Sequence, residues 1–262
     1  MLAKRIKAAL AQGQTVVGSW MSLGDTGIAE IMAGAGFDFL TVDMEHSAIT
    51  LHQAQELIRV VSLSGVCPLV RLSSNDPILT KRVLDAGAAG IIVPMGNSGA
   101  EARAAVAAAK YPRVGRRSVG LARAQGYGPG FDAYFAAAND DILVVVQIEH
   151  EDAVADIEAI LSVPGIDAYL IGPYDLSASM GLAGQLDDPR VVGALTHVRD
   201  VAKRLGVPAG FHSVATDPQA LLARINEGYQ LVAYSVDFLL LGDACRRDLG
   251  VIRKQLPGVG RQ

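Results

Sequence analysis

Cysteine is nearly absent: the 262 residues hold two, Cys67 and Cys245, far apart and without metal-type spacing. That excludes a disulfide framework and a thiolate metal site, and it predicts a reduced, cytoplasmic enzyme. Charge of one sign is also lacking. A net charge of −4 and a pI near 5.7 offer no general attraction for nucleic acid or an anionic membrane. No apolar run reaches the roughly 18 residues of a membrane span. The basic opening Met1-Leu-Ala-Lys-Arg-Ile-Lys7 lacks the apolar stretch of a secretory signal. Charged residues make up only 19% while half the chain is hydrophobic, so an extensive core is expected rather than disorder.

Other absences concern chemistry. The six lysines, Lys4, Lys7, Lys81, Lys110, Lys203 and Lys254, fall on predicted helices or their ends. None ends a predicted strand, so a Schiff-base aldolase lacks its nucleophile. No Gly-x-Ser-x-Gly elbow is present. No glycine-rich phosphate loop follows the last two strands, where Phe211-His-Ser-Val-Ala and Ser235-Val-Asp-Phe stand instead. Acyl-transfer and phosphosugar chemistry both recede.

What is present is a rhythm. Strand-like stretches at 15–20, 37–43, 67–72, 90–94, 142–148, 167–171, 208–212 and 230–236 alternate with helix-like runs at 27–35, 51–63, 77–86, 100–110, 152–161, 189–205, 218–228 and 239–256. A short amphipathic helix over 2–12 precedes them. Asn75-Asp-Pro77 and Thr216-Asp-Pro218 open helices with a cap and a first-turn proline, and Gly36, Gly87, Gly206 and Gly228 stand where helices should stop. Eight alternations in a chain of this length favour a (β/α)8 TIM barrel occupying residues 1–262 as a single domain. The rival doubly wound sheet would want Gly-x-Gly-x-x-Gly after strand one, and it is missing. Residues 111–127 break the rhythm and carry Arg113, Arg116, Arg117 and Arg123: either a solvated basic face, or a loop at the barrel mouth or a subunit interface that meets an anionic substrate.

In such a barrel, chemistry gathers at the carboxyl ends of the strands. Those ends supply Trp20, Asp43-Met-Glu-His46, Arg71, Gln147, Glu149, Asp175, Phe211-His212 and Asp237. Glu149 closes the apolar run Asp141-Ile-Leu-Val-Val-Val-Gln-Ile-Glu149, and Asp175 follows the next strand. Parallel neighbours lie about 4.8 Å apart, so both carboxylates can reach one cation. Hard oxygen donors without cysteine suit Mg²⁺ or Mn²⁺; the plainer readings are a salt-bridged pair, or a helix cap at Asp175. His46 has Asp43 and Glu45 to orient it, though a lone histidine is more often structural. Arg71 is either an ion-pair partner of these acids or a fixed cation for a developing oxyanion.

Taken together, Gly18-Ser-Trp20, Phe37-Asp-Phe-Leu-Thr-Val-Asp-Met-Glu-His46, Pro68-Leu-Val-Arg71, Leu84-Asp-Ala-Gly87, Ile91-Ile-Val-Pro-Met95, Val146-Gln-Ile-Glu149 and Ile171-Gly-Pro-Tyr-Asp-Leu-Ser-Ala-Ser-Met-Gly181 form an ordered set that resembles the HpcH/HpaI family of metal-dependent pyruvate aldolases over nearly the whole chain. The resemblance implies a (β/α)8 barrel of the phosphoenolpyruvate/pyruvate type, assembled as a homo-oligomer (hexamer or trimer) whose subunits exchange C-terminal helices. It implies Glu149 and Asp175 as ligands of Mg²⁺, Mn²⁺ or Co²⁺, and His46 as the base with Asp85 assisting. Arg71 would stabilise the enolate, while Gln147 and the backbone of Tyr174 and Asp175 hold the pyruvate unit. Trp20, Phe211, His212 and Tyr174 would shape the aldehyde pocket. The implied reaction is reversible aldol cleavage of a 4-hydroxy-2-oxo acid to pyruvate, or hydroxypyruvate, and an aldehyde. Ser47, Tyr174 and Ser118 depart from the family pattern, which bears on the substrate more than on the reaction. The alternatives are a citramalyl- or malyl-CoA type thioester lyase, which needs a basic surface for CoA phosphates, and a catalytically silent binding barrel.

Overall fold

The computed structural model describes residues 2–256. The chain runs α1 (Leu2–Ala11), β1 (Val16–Met21), α2 (Thr26–Gly34), β2 (Phe39–Asp43), α3 (Leu51–Leu63), β3 (Cys67–Arg71), α4 (Pro77–Asp85), β4 (Gly90–Val93) and α5 (Gly99–Ala109). A single 3-10 turn at Arg123–Gln125 leads to α6 (Phe131–Asp141), β5 (Leu143–Ile148), α7 (Glu151–Ala155), α8 (Ile157–Leu161), β6 (Ala168–Ile171) and α9 (Pro173–Ser179). Then come α10 (Pro189–Leu205), β7 (Ala209–Ser213), α11 (Pro218–Asn226), β8 (Leu231–Val236) and α12 (Asp237–Gln255). The eight strands pair in parallel, each with its sequence neighbour, and β8 closes on β1. No helix among the described residues is long and apolar enough to cross a membrane.

Alternation along the strands divides the apolar side chains between two cores. Phe39, Leu69, Leu143, Leu170 and Leu231 fill the barrel, and Ala3, Ile6 and Leu10 of α1 pack against the same cluster and stopper its lower end. Leu40, Val70, Val144 and Tyr169, one residue along, face the helices instead. Caps start the helices where the sequence placed them. Asp76 accepts from the N–H groups of Ile78 and Leu79, and Asp217 from that of Gln219, each with proline in the first turn.

Two sequence expectations change. The helix expected over 152–161 is broken at Asp156, whose carboxylate accepts the Gly99 N–H at 2.8 Å and so tethers the start of α5. The basic loop does not lie over the mouth. Arg117 is buried between the rings of Tyr111 and Tyr134, 4.6 and 5.6 Å from their centroids, and its guanidinium pairs with Asp85 at 2.7 Å. Arg123 donates to the Ala86 carbonyl and the Ser62 hydroxyl. Those partners sit where α3 and α4 end, at the floor of the barrel.

Tight strand contact makes glycine obligatory at position 90, where a Cβ would fall 2.6 Å from the Leu143 carbonyl oxygen. Gly90→Ala is expected to cost about 1–3 kcal/mol of overpacking. Gly34→Ala, in a helix with nothing within 4 Å, should be neutral or stabilising by up to about 1 kcal/mol. Urea denaturation of the two variants checks the contrast.

Candidate active site

Register builds the first half of the site. Asp43 and Arg71 are direct partners across β2 and β3. The guanidinium therefore forks onto the carboxylate, Nε to Oδ1 at 2.9 Å and Nη2 to Oδ2 at 2.6 Å. Asp43 Oδ1 also accepts the N–H groups of Glu45 and His46 at 3.0 and 3.3 Å, which folds the exit of β2 back on itself. Burial pushes the Asp43 carboxyl up, but Arg71 and these two N–H groups outweigh it and hold the pKa below the ordinary value. Arg71 Nη1 lies 3.0 Å from Glu45 Oε2. Burial raises the Glu45 pKa, and the neighbouring charges of Glu149 and Asp43 add to the rise against Arg71 and His46. His46 stands at the rim, its side chain 65% exposed and its Nε2 3.9 Å from Glu45.

The second half comes from β5 and β6. Glu149 is 3% exposed, so both of its oxygens need donors. Oε1 accepts the Met95 N–H at 2.7 Å, and Oε2 accepts from the Gln147 amide. Met95, just past β4, has a φ of +50°, a conformation non-glycine residues adopt only when held there. Burial raises the Glu149 pKa; Met95 and Gln147 oppose this, and the charge of Asp175 adds to it. Asp175 lies in the first turn of α9, inside the helix rather than capping it. Gly172 leaves the space between: a Cβ there would come within 2.8 Å of Glu149 Oε2. Gln147 Oε1 is buried without a partner.

A cavity of about 240 Å³ joins the halves, lined by Trp20, Asp43, His46, Arg71, Gln147, Tyr174, Asp175 and His212, with Val214, Val236 and Phe238 as apolar wall. Trp20 and His212 stack at 4.4 Å with an interplanar angle of 13°. Tyr174 guards the rim, 59% exposed. Asp237 Oδ2 accepts the N–H groups of Ser22 and Leu23 and ties the exits of β1 and β8 together. Ser22, Val214 and Phe238 were not anticipated, because an apolar or small residue just past a strand carries no chemical label.

Two anticipated residues fall elsewhere. Phe211 points outward, the opposite way from His212, and packs on Tyr229 with Arg224 over its ring. Strand alternation forces this: two successive β7 residues cannot both face the barrel interior. Asp85 closes α4 at the floor, engaged with Arg117, and does not approach His46 within one chain.

Three carboxylates therefore surround one guanidinium, Asp43, Glu45 and Glu149 against Arg71, and a fourth, Asp175, acts on Glu149. That excess of negative charge, all from hard oxygen donors, suits a small divalent cation gripped by Glu149 and Asp175. Among the described residues, no three His, Cys, Asp or Glu side chains gather closely enough to hold a metal ion by themselves. Substrate and solvent oxygens would have to complete the coordination.

A closed barrel with a small acidic mouth and one fixed guanidinium can take a small polar ligand beside a cation. The family described as HpcH/HpaI aldolase/citrate lyase matches residues 17–244. The chain is 40% identical to the hydroxypyruvate/pyruvate aldolase of Sagittula stellata over 92% of its own length and 94% of the relative's. It is 39% identical to the 4-hydroxy-2-oxo-heptane-1,7-dioate aldolase of Salmonella newport, over 95% of both chains. The HpcH/HpaI aldolase structure from Desulfitobacterium hafniense superimposes with a TM-score of 0.90 at 36% identity, covering 98% of this chain and 99% of that one. The chain belongs to the HpcH/HpaI aldolase/citrate lyase family and is an aldolase-type carbon–carbon lyase.

His212 gives the site a measurable acid response. Burial depresses its pKa from 6.5 to about 4; the Ser235 carbonyl opposes this, Arg71 reinforces it and Asp43 opposes it. The unfolded chain takes up a proton near pH 6.5 that the native chain refuses until about pH 4. Stability from this group is full above pH 6.5 and is lost as pH falls toward 4, by up to about 3 kcal/mol. His212→Phe, which keeps a ring beside Trp20, should flatten that part of the slope in urea denaturation at pH 7 and pH 4.5. An unchanged slope would assign the acid sensitivity to other groups.

Proposed function

We propose that the protein catalyses reversible aldol cleavage of a 4-hydroxy-2-oxo acid to pyruvate, or hydroxypyruvate, and an aldehyde, using a divalent ion held by Glu149 and Asp175. The observation that carries this reading is the juxtaposition of that repelling carboxylate pair with an arginine already locked in place. When bound, Mg²⁺, Mn²⁺ or Co²⁺ supplies Lewis-acid polarisation of the 2-oxo group. Gln147 and the backbone of Tyr174 and Asp175, in the first turn of α9, hold the carboxylate end of the substrate. His46 takes the proton from the 4-hydroxyl, directly or through water. As the C3–C4 bond breaks and the aldehyde departs, Arg71 steadies the negative charge growing on the C2 oxygen. Its orientation is already set by Asp43, so no reorganisation accompanies the charge transfer. A proton delivered to C3 completes pyruvate. Asp85 can assist only the His46 of another copy of the chain, given where α4 ends.

Cavity size favours free acids over CoA thioesters. About 240 Å³ seats a small oxo acid, and the arginines that would bind CoA phosphates lie at the barrel floor. Homo-oligomerisation is part of the proposal: α12 presents Leu241, Val251 and Ile252, each more than half exposed, and every residue from Cys245 to Gln255 is exposed among the described residues. Two free thiols, Cys67 buried and Cys245 exposed, fit a reduced, cytoplasmic setting.

Pyruvate release from a panel of 4-hydroxy-2-oxo acids, followed with lactate dehydrogenase, tests the reading. Turnover should stop after exhaustive chelation and return with Mg²⁺, Mn²⁺ or Co²⁺, while Glu149→Gln and Asp175→Asn should not be restored. Arg71→Ala should lower kcat by about 10²–10³. Undiminished turnover after chelation would overturn the metal assignment, and release of acid only from CoA esters would overturn the substrate class.

A further inference from the structure

The Trp20–His212 stack has hydrogen-bonding properties that the aldol mechanism leaves unused. His212 Nε2 lies 2.9 Å from the carbonyl oxygen of Ser235. A carbonyl has no proton to give, so a neutral ring must carry its hydrogen on Nε2, leaving Nδ1 with an open lone pair. Trp20, stacked nearly parallel at 4.4 Å, opposes any rotation that would exchange the two nitrogens.

The carbonyl that imposes this tautomer is itself held in place. Ser235 is one of three non-glycine residues with positive φ among the described residues, at +54°, and its hydroxyl donates to the Val214 carbonyl at 3.1 Å. It sits where the β1–β8 register shifts. Backbone in this region persists only where the surroundings over-determine it. With a pKa pushed down to about 4, chiefly by burial, the ring is neutral in the pH range where such enzymes work.

Among the described residues, no donor is found for Nδ1 on this cavity-lining ring. An unshared acceptor on the cavity wall matches a hydroxyl, which can give it a hydrogen bond. A carboxylate would set its lone pairs against Nδ1, and a methyl group would leave it unpaired.

We propose that His212 is a specificity residue that accepts, at Nδ1, the hydrogen of a substrate hydroxyl on the carbon next to a carbonyl. Two reactants present that group, a 2-hydroxyaldehyde and a 3-hydroxy-2-oxo acid. The inference rests on the aldol reading above, and it names the substrate class of that same pocket.

Two matched pairs separate the sources: glycolaldehyde against acetaldehyde with pyruvate, and hydroxypyruvate against pyruvate with one common aldehyde. In at least one pair the wild-type kcat/KM should favour the hydroxylated member tenfold or more, because a site built to bond a hydroxyl discriminates against its absence. His212→Leu should cut that ratio at least tenfold, whereas His212→Gln, with an amide oxygen as acceptor, should keep most of it. The pair whose ratio collapses identifies the reactant that carries the hydroxyl. Trp20 is the only tryptophan in the chain, so its fluorescence reports binding at the stack without turnover. Titration with hydroxypyruvate and with pyruvate should show the same order of Kd, lost in His212→Leu. Wild-type ratios below threefold in both pairs, or a ratio that survives His212→Leu, would overturn the proposal. If the wild type shows the fluorescence preference but cleaves no oxo acid, the aldol reading falls and the assignment of His212 stands. Should neither variant fold, the wild-type ratios and titrations decide.

Discussion

Keeping Glu149 charged where water scarcely reaches is the constraint on which the mouth of this barrel depends. An isolated buried carboxylate would simply take up a proton. Here the Met95 N–H and the Gln147 amide supply hydrogen bonds to its two oxygens, and they oppose the combined effect of burial and the Asp175 charge. Three local oddities follow. Met95 adopts positive φ to present its N–H, Gly172 has no side chain so that the carboxylate has room, and Gln147 turns its amide nitrogen inward, leaving its oxygen bare. Together they hold a negative charge at the mouth, where the proposed dication would bind.

Arg71 belongs to the same electrostatic unit. Its bidentate bond with Asp43 follows from strand register alone, as the two are direct partners on β2 and β3. Removing either member would strand a buried charge, which is far more damaging than losing a surface pair. The residue proposed to stabilise the enolate is thus also a structural link between adjacent strands. Loss of activity on replacing it has to be separated from loss of folding.

The barrel was legible because parallel strands buried on both faces read as plain apolar runs, and because Asp76-Pro77 and Asp217-Pro218 announce their helices. The strand-end acids were legible for the same reason: Glu149 stands out against six apolar neighbours and an amide. What could not be read was direction. Phe211 and His212 are adjacent in sequence, and only the register of β7 decides that the histidine faces inward while the phenylalanine packs beneath the helices. The partner of Asp85 was illegible for a related reason: the end of α4 places that carboxylate at the floor, but only the fold brings Arg117 to it, with the guanidinium between two tyrosines. The break at Asp156 depends on a long-range bond to Gly99 that no local pattern encodes.

Because α1 stoppers the lower end of the barrel with Ala3, Ile6 and Leu10, reactants are left the mouth at the strands' carboxyl ends. Glu149 is buried at the exit of β5 while His46 stands on the lip, 3% and 65% exposed. Under the proposed reaction, traffic would then be last in, first out. The oxo-acid fragment would enter before its aldehyde partner in synthesis and wait behind it in cleavage, a kinetic order set by a ten-residue helix remote from both.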